Sequence, residues 1–256
     1  MNQETFQIFL WVMSAVALVV FIALYFVKAG YGMFRTASWG ISINNKLAWV
    51  LMEAPVFIVM FGLWGKSGAG FAVPVYFFFL LFQLHYLQRA FIFPTQMKGK
   101  SRMPVAIMAM GIVFNLLNGM MQAGGLFYFA PEGLYADGWA YLLKPHALLG
   151  IILFFAGMFV NLHSDYVIRH LRRPGDTKHY LPGKGLYRYV TSANYFGELV
   201  EWTGFAILTA SPAAWVFVWW TFANLVPPAA PIHRRYREEF GDEAVGKRKR
   251  IIPFLY

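Results

Sequence analysis

The feature that most constrains this chain is a succession of long apolar runs. A helix rising ~1.5 Å per residue needs ~20 apolar residues to cross ~30 Å of hydrocarbon. Seven runs approach that length, at 6–27, 47–65, 71–93, 104–127, 141–165, 190–209 and 212–229. They predict an all-α integral membrane bundle of seven transmembrane helices. Only Ala210-Ser211-Pro212 separates the last two, so a tight reversal and an antiparallel pair are expected there. Without a repeat, a low-complexity tract or a long linker, residues 1–256 read as a single membrane domain.

Loop charge orients the bundle, because cytoplasmic loops retain Lys and Arg. The first loop carries Lys28, Arg35 and Lys46, and the third carries Lys98, Lys100 and Arg102. The fifth carries Arg169, Arg172, Arg173, Lys178, Lys184 and Arg188, and the tail adds Arg234, Arg235, Arg237, Lys247, Arg248, Lys249 and Arg250. The second loop has only Lys66, and the fourth, around Pro131-Glu132-Gly133 and Asp137-Gly138-Trp139, has no Lys or Arg. Seven spans with the N-terminus outside and the C-terminus in the cytoplasm satisfy this alternation. The excess of 22 Lys+Arg over 12 Asp+Glu is thus inner-face charge facing membrane lipid, and no nucleic-acid partner is expected. Met1-Asn2-Gln3-Glu4 lacks a basic residue ahead of the first run, so that run is expected to be retained. The absence of cysteine excludes disulfides, thiol nucleophiles and thiolate metal sites, and no metal is expected.

Polar residues inside a span cost on the order of 2.5–3.5 kcal/mol when charged, so they mark cavities or partners. Glu53 lies in the second run, His85, Tyr86 and Arg89 in the third, Asn115, Asn118 and Gln122 in the fourth, and Asn194, Glu198 and Glu201 in the sixth. Counted from the cytoplasmic side, Glu53 and Tyr86 each lie seven residues, or ~10 Å, inside their runs, and Glu198 lies at ~12 Å. A polar chamber in the cytoplasmic half follows. Asn161, Asp165, Arg169 and Arg172 fall within about 80° on one helix face, and Asn194, Glu198 and Glu201 within about 60° on the next. Facing ladders of this kind either hold each other by ion pairs or grip a phosphate-bearing ligand with the arginines. The apolar ending Ile251-Ile252-Pro253-Phe254-Leu255-Tyr256 after the basic run predicts that the tail folds back on the bundle. No Gly-x-Gly-x-x-Gly follows a strand, and Walker-A, His-Glu-x-x-His and Gly-x-Ser-x-Gly are missing, so any nucleotide must bind among helices.

The segments Asn161-Leu162-His163-Ser164-Asp165-Tyr166 with Arg169, Leu171-Arg172 and Pro174-Gly175, and Ser192-Ala193-Asn194-Tyr195-Phe196-Gly197-Glu198 with Glu201-Trp202, resemble signatures of the steroid 5α-reductase family. His85-Tyr86, Tyr135-Ala136-Asp137-Gly138-Trp139 and Ile252-Pro253-Phe254 match it in character and order. The resemblance implies a monomeric seven-helix reductase that holds NADPH and reduces the C4–C5 double bond of a 3-oxo-Δ4-steroid. Its membrane would be a bacterial inner membrane or endoplasmic reticulum, with the cofactor site facing the cytoplasm. Carried over, Asn161, Asp165, Arg169, Arg172, Asn194, Glu198, His233 and Tyr236 contact the cofactor, with Arg248 and Lys249 of the tail, while Glu53 and Tyr86 are catalytic and take the substrate ketone. In that reading the Tyr hydroxyl is hydrogen-bonded to the Glu. Met52 stands where the family often has glutamine before that Glu, a departure that bears on how the steroid is oriented. Rival readings are a sterol C14 or C24, polyprenol or enoyl reductase, an isoprenylcysteine-type methyltransferase that would bind S-adenosylmethionine, and a transporter or channel.

Overall fold

The computed structural model describes residues 1–27, 39–172, 176 and 178–256. Lys28, Arg35, Arg173, Pro174 and Gly175 lie outside the described residues. The chain is mostly helical. Asn2 caps α1 (Gln3–Phe26) by accepting from the Thr5 amide at 2.8 Å, and Asn44 caps α2 (Asn45–Ser67) by accepting from the Lys46 amide at 2.9 Å. A short antiparallel ladder, β1 (Ser42–Asn44) on β2 (Arg102–Pro104), ties the start of α2 to the start of α5. The third run is continuous from Val75 to Gln96 but not uniform: α3 (Val75–Leu87) passes through a π turn (Gln88–Ile92) into α4 (Phe93–Gln96). Likewise α5 (Val105–Ala123) ends in a π turn (Gly124–Tyr128). The short α6 (Trp139–Leu142) leads into α7 (Pro145–Arg169), then come α8 (Ala193–Thr209), α9 (Pro212–Phe240) and α10 (Asp242–Val245).

Among the described residues five helical runs are long and apolar enough to cross a membrane: Gln3–Phe26, Asn45–Ser67, Val75–Gln96, Val105–Tyr128 and Pro145–Arg169. The protein is therefore a multi-pass membrane protein on a scale of five such helices, against the seven expected. The sixth run yields α8, only 17 residues long. The seventh yields α9, 29 residues long, whose tryptophans, Asn224 and three internal prolines dilute its apolar character. Its apolar run was expected to end at 229, yet the helix continues through Pro227, Pro228 and Pro231 to Phe240. Apolar length and helix length part company here, since each proline removes one ladder donor without ending the helix. The expected reversal between the two is present: Ala210, at φ 50, caps α8 and α9 begins at Pro212.

The pair α7–α8 is packed backbone to backbone. A Cβ added to Gly157 would stand 2.2 Å from the Glu201 amide nitrogen, and one on Gly197 would stand 2.4 Å from that of Asn161. Gly204 faces the Phe154 nitrogen at 2.4 Å and Gly150 that of Leu208 at 2.5 Å by the same construction. The register is antiparallel, with two glycines seven residues apart on each helix. In lipid, where apolar surface gains nothing by leaving the solvent, such close approach and dispersion contact drive association. On the other side of the bundle α1 packs along α9, held by Trp219 and Trp220, whose indole N–H groups donate to the Ser14 and Met13 carbonyls at 3.1 and 2.8 Å. At the centre Trp202 is 1% exposed, ringed by Phe82, His85, Tyr86 and Phe217 with ring centres 4.5 to 5.9 Å away.

The tail does fold back. Lys249 bridges Val190 in parallel, its N–H donating to the Tyr189 carbonyl, and the Thr191 and Ser192 amides donate to the Lys249 and Arg250 carbonyls, both at 2.9 Å. Ile251 is fully buried against Val226 and Ala229 of α9.

Candidate active site

Two polar rungs join α3 to the α7–α8 pair. On the deeper rung His85 Nδ1 meets Glu201 Oε1 at 2.7 Å, both side chains nearly inaccessible. One turn toward the end of the run, Arg89 Nη1 donates to Asp165 Oδ2 at 3.2 Å, and Nη2 lies 4.0 Å from Glu198 Oε2. Trp49 and Phe93 flank that guanidinium with ring centres 4.8 and 4.6 Å away. A single cation thus serves two carboxylates of different helices, with aromatic faces replacing the water it has lost.

Between these rungs and α2 stand the two expected catalytic residues. Tyr86 is 4% exposed and Glu53 is partly buried. They do not bond to each other as expected. Both bond instead to α5: Asn118 Nδ2 donates to the Tyr86 hydroxyl at 3.1 Å, and Asn115 Nδ2 donates to Glu53 Oε2 at 3.2 Å and to the Met52 carbonyl at 2.7 Å. The two asparagines are one turn apart, about 4.5 Å of rise, so Glu53 and Tyr86 do share a level. That level is deeper than counted from sequence. Because the third run continues to Gln96, Tyr86 stands ten residues, about 15 Å, from its end. The Met52 side chain occupies the notch left by Gly111, where an added Cβ would come within 2.3 Å of it.

The expected cofactor residues gather where α7, α8, α9 and the tail meet. Asn161 donates to the Asn194 carbonyl at 3.0 Å, and Tyr187 donates to Asn194 Oδ1 at 3.4 Å. His233 Nδ1 pairs with Thr191 Oγ1 at 3.3 Å. Burial, then the charges of Arg237 and Arg250, hold the His233 ring below the ordinary imidazole value, so it is neutral near pH 7. Tyr236 is partly buried within the field of Arg172, which is itself exposed. Buried here without a hydrogen-bond partner are Arg169 Nη1, Arg248 Nη1, Ser164 Oγ and Ser192 Oγ. A cleft of about 470 Å³ opens at the docked tail, lined by His233, Arg237, Arg248, Lys249, Arg250 and Tyr256, so that of these four groups Arg248 borders it. Among the described residues no group of His, Asp or Glu is arranged to hold a metal ion.

A family model described as 3-oxo-5-alpha-steroid 4-dehydrogenase matches residues 101–256. A 3-oxo-5-alpha-steroid 4-dehydrogenase 1 of Macaca fascicularis is 36% identical over 228 residues, covering 88% of this chain and 84% of the relative. A steroid 5-alpha-reductase DET2 of Gossypium hirsutum is 36% identical over 263 residues, covering 100% and 99%. The chain belongs to the steroid 5α-reductase family. It is accordingly an oxidoreductase acting on CH–CH groups. For a steroid 5α-reductase the notable feature is that Asp165 and Glu198, expected on the cofactor, are also held by Arg89. Sequence reading singled out Arg89 as intramembrane but gave it no role, since its partners emerge only when α3 is laid against α7 and α8. The His85–Glu201 pair was unassigned for the same reason.

Proposed function

We propose that this protein reduces the C4–C5 double bond of a 3-oxo-Δ4-steroid with NADPH, as a single seven-helix domain with its N-terminus outside and its C-terminus in the cytoplasm. The observation that carries the reading is the Tyr86 hydroxyl: its oxygen accepts from Asn118, which leaves its proton to donate, and it does so in a site dried by Phe82 and Trp202. The buried Nη1 groups of Arg169 and Arg248, which lack a hydrogen-bond partner, fit an anionic cofactor, since a guanidinium N–H with no acceptor suits an oxyanion. Arg169, Arg172, Arg248, Lys249 and His233 would hold the phosphates, and Asn161, Asp165, Asn194, Glu198 and Tyr236 the sugar and amide portions. When bound, NADPH supplies the hydride.

The chain's own residues do the rest. Tyr86 donates its proton toward the C3 oxygen as charge develops there, an interaction worth most in a dry, preorganised site. Glu53, held at the same level by Asn115, faces the ketone end of the substrate, where its carboxyl, when protonated, is a second donor to the C3 oxygen. The aromatic wall of Phe82, Trp202 and Phe217 excludes the water that would quench this polarity. The enol formed at C3 reverts to the ketone as C4 takes a proton from solvent and the enol O–H returns its proton to the Tyr86 oxygen, which restores the phenol. Loop charges support the orientation, and the cytoplasmic end is where the cofactor residues and the docked tail lie.

Purified protein in mild detergent, given progesterone or testosterone, is expected to consume NADPH and yield the 5α-reduced 3-oxosteroid. Mass spectrometry of the same preparation is expected to recover NADP(H). Recovery of NADP(H) without steroid turnover would reject the substrate and keep the reductase; S-adenosylmethionine in its place would reject both.

A further inference from the structure

Asn115, Asn118 and Gln122 share one face of α5, and the proposed chemistry leaves Gln122 unused. Its amide nitrogen donates to the Ala213 carbonyl at 3.0 Å and to Asn118 Oδ1 at 3.4 Å. A backbone carbonyl only accepts, so the atom of Gln122 that faces it must be the N–H end. That same end faces Asn118, which must answer with its oxygen. The amide of Asn118 is thereby left to point its N–H at Tyr86. The cost is visible: Gln122 Oε1 is buried without a partner. The anchor is itself fixed, because the start of α9 seats on the π turn of α5, where a Cβ on Gly125 would lie 2.7 Å from both Ala213 Cβ and Ser211 Oγ.

We propose that Gln122 and Asn118 are positioning residues for the Tyr86 donor: the Ala213 carbonyl, through Gln122, forces Asn118 to donate to the phenol, so the Tyr86 proton can go only to the substrate. Were Asn118 to flip, its oxygen would take that proton. An N–H directed at the phenolic oxygen also stabilises the negative charge that grows there as the proton leaves. The inference rests on the reading of Tyr86 as donor to the steroid ketone.

Two variants and two readouts test it. Gln122→Met removes the lock, and Asn118→Leu removes the donor. With a saturating 3-oxo-Δ4-steroid, each is expected to lower kcat about ten-fold, the scale of one hydrogen bond, with the KM for NADPH unchanged. In a Tyr86→Phe background Gln122→Met is expected to cost less than about two-fold, because the group it positions is gone. The infrared carbonyl band of a 3-13C-labelled steroid, bound without NADPH, is expected to shift down in the unaltered protein. The shift should shrink in Gln122→Met and vanish in Tyr86→Phe. Full kcat and an unshrunken band in Gln122→Met, alongside an inactive Tyr86→Phe, overturn the relay and keep the donor. Losses that simply add in the double variant also overturn it. Full activity in Tyr86→Phe overturns the donor reading and the relay together.

Discussion

The α7–α8 pair and the α2–α3–α5 group are both helix contacts in one membrane bundle, but they are made of different material. The first is backbone against backbone: four glycines let the helices close until a single methyl would meet an amide nitrogen at 2.2 to 2.5 Å. The second is made by side chains, with Asn115, Asn118 and Gln122 reaching 2.7 to 3.2 Å across to Glu53, Tyr86 and two carbonyls. A backbone contact has no rotamers to lose and fixes distance; polar side chains fix direction and can be retuned one at a time. The difference separates duties. The frame that sets Asp165 and Glu198 opposite Arg89 tolerates nothing larger than hydrogen, whereas the group around Tyr86 tolerates substitution and gives up chemistry instead.

The comparison breaks most sharply at Gly157. A leucine there must displace the Glu201 backbone, and Gly157→Leu is expected to yield no folded protein by size-exclusion chromatography in detergent; a native elution profile with unchanged Tm would show that the helices are not locked. Next in size, Tyr86→Phe is expected to lower kcat by about 10²–10³-fold, the cost of losing one oxyanion donor, while Tm and NADPH affinity stay as they were. A large fall in Tm would mean that the side-chain group is frame as well. Arg169→Ala and Arg248→Ala sharpen the picture at the end of the bundle where the tail docks. Each is expected to weaken NADPH binding by about 1.5–3 kcal/mol, roughly 10- to 150-fold, measured by nucleotide fluorescence titration. Unchanged affinity in both variants would remove the partnerless Nη1 groups of Arg169 and Arg248 from the cofactor site.

The smallest effect concerns pH. His233 is held below the ordinary imidazole value chiefly by burial, so the folded state takes a proton less readily than the unfolded chain. Its stability is therefore undiminished above the ordinary value of about 6.5 and declines as pH falls below it. His233→Gln is expected to flatten the dependence of Tm on pH in that acid range and leave Tm near pH 8 unchanged. An identical acid slope in the variant would place the titrating group elsewhere.

Much of this was legible in the chain. Apolar runs gave the helices to within a few residues at most ends, and of the ladder Asn161, Asp165, Arg169 and Arg172, Asn161 reaches Asn194 directly while Asp165 meets Glu198 through Arg89. The apolar ending after Arg250 indicated a tail that returns to the bundle, though its pairing with Tyr189 through Ser192 has no sequence signal. The glycine contacts were not anticipated: Gly150 with Gly157 and Gly197 with Gly204 stand seven residues apart, and small residues of this kind mark close helix contact in lipid only once the facing helix is known. The π turns at Gln88–Ile92 and Gly124–Tyr128 were not readable, because an extra residue in a turn leaves hydropathy unchanged. The direct Glu53–Tyr86 hydrogen bond was misread for a related reason: equal depth was computable from one helix at a time, but direction depends on what a third helix, α5, places between.

The central claim is that hydride from NADPH reaches C5 of a 3-oxo-Δ4-steroid in this protein. The most direct measurement supplies NADPH carrying deuterium at both C4 positions of the nicotinamide, with progesterone, and locates the label in the product by mass spectrometry and NMR. The account predicts one deuterium per molecule, at C5 on the α face, and none at C4, which takes its proton from solvent. Product formed without label at C5, or no product while NADPH remains bound, would contradict it.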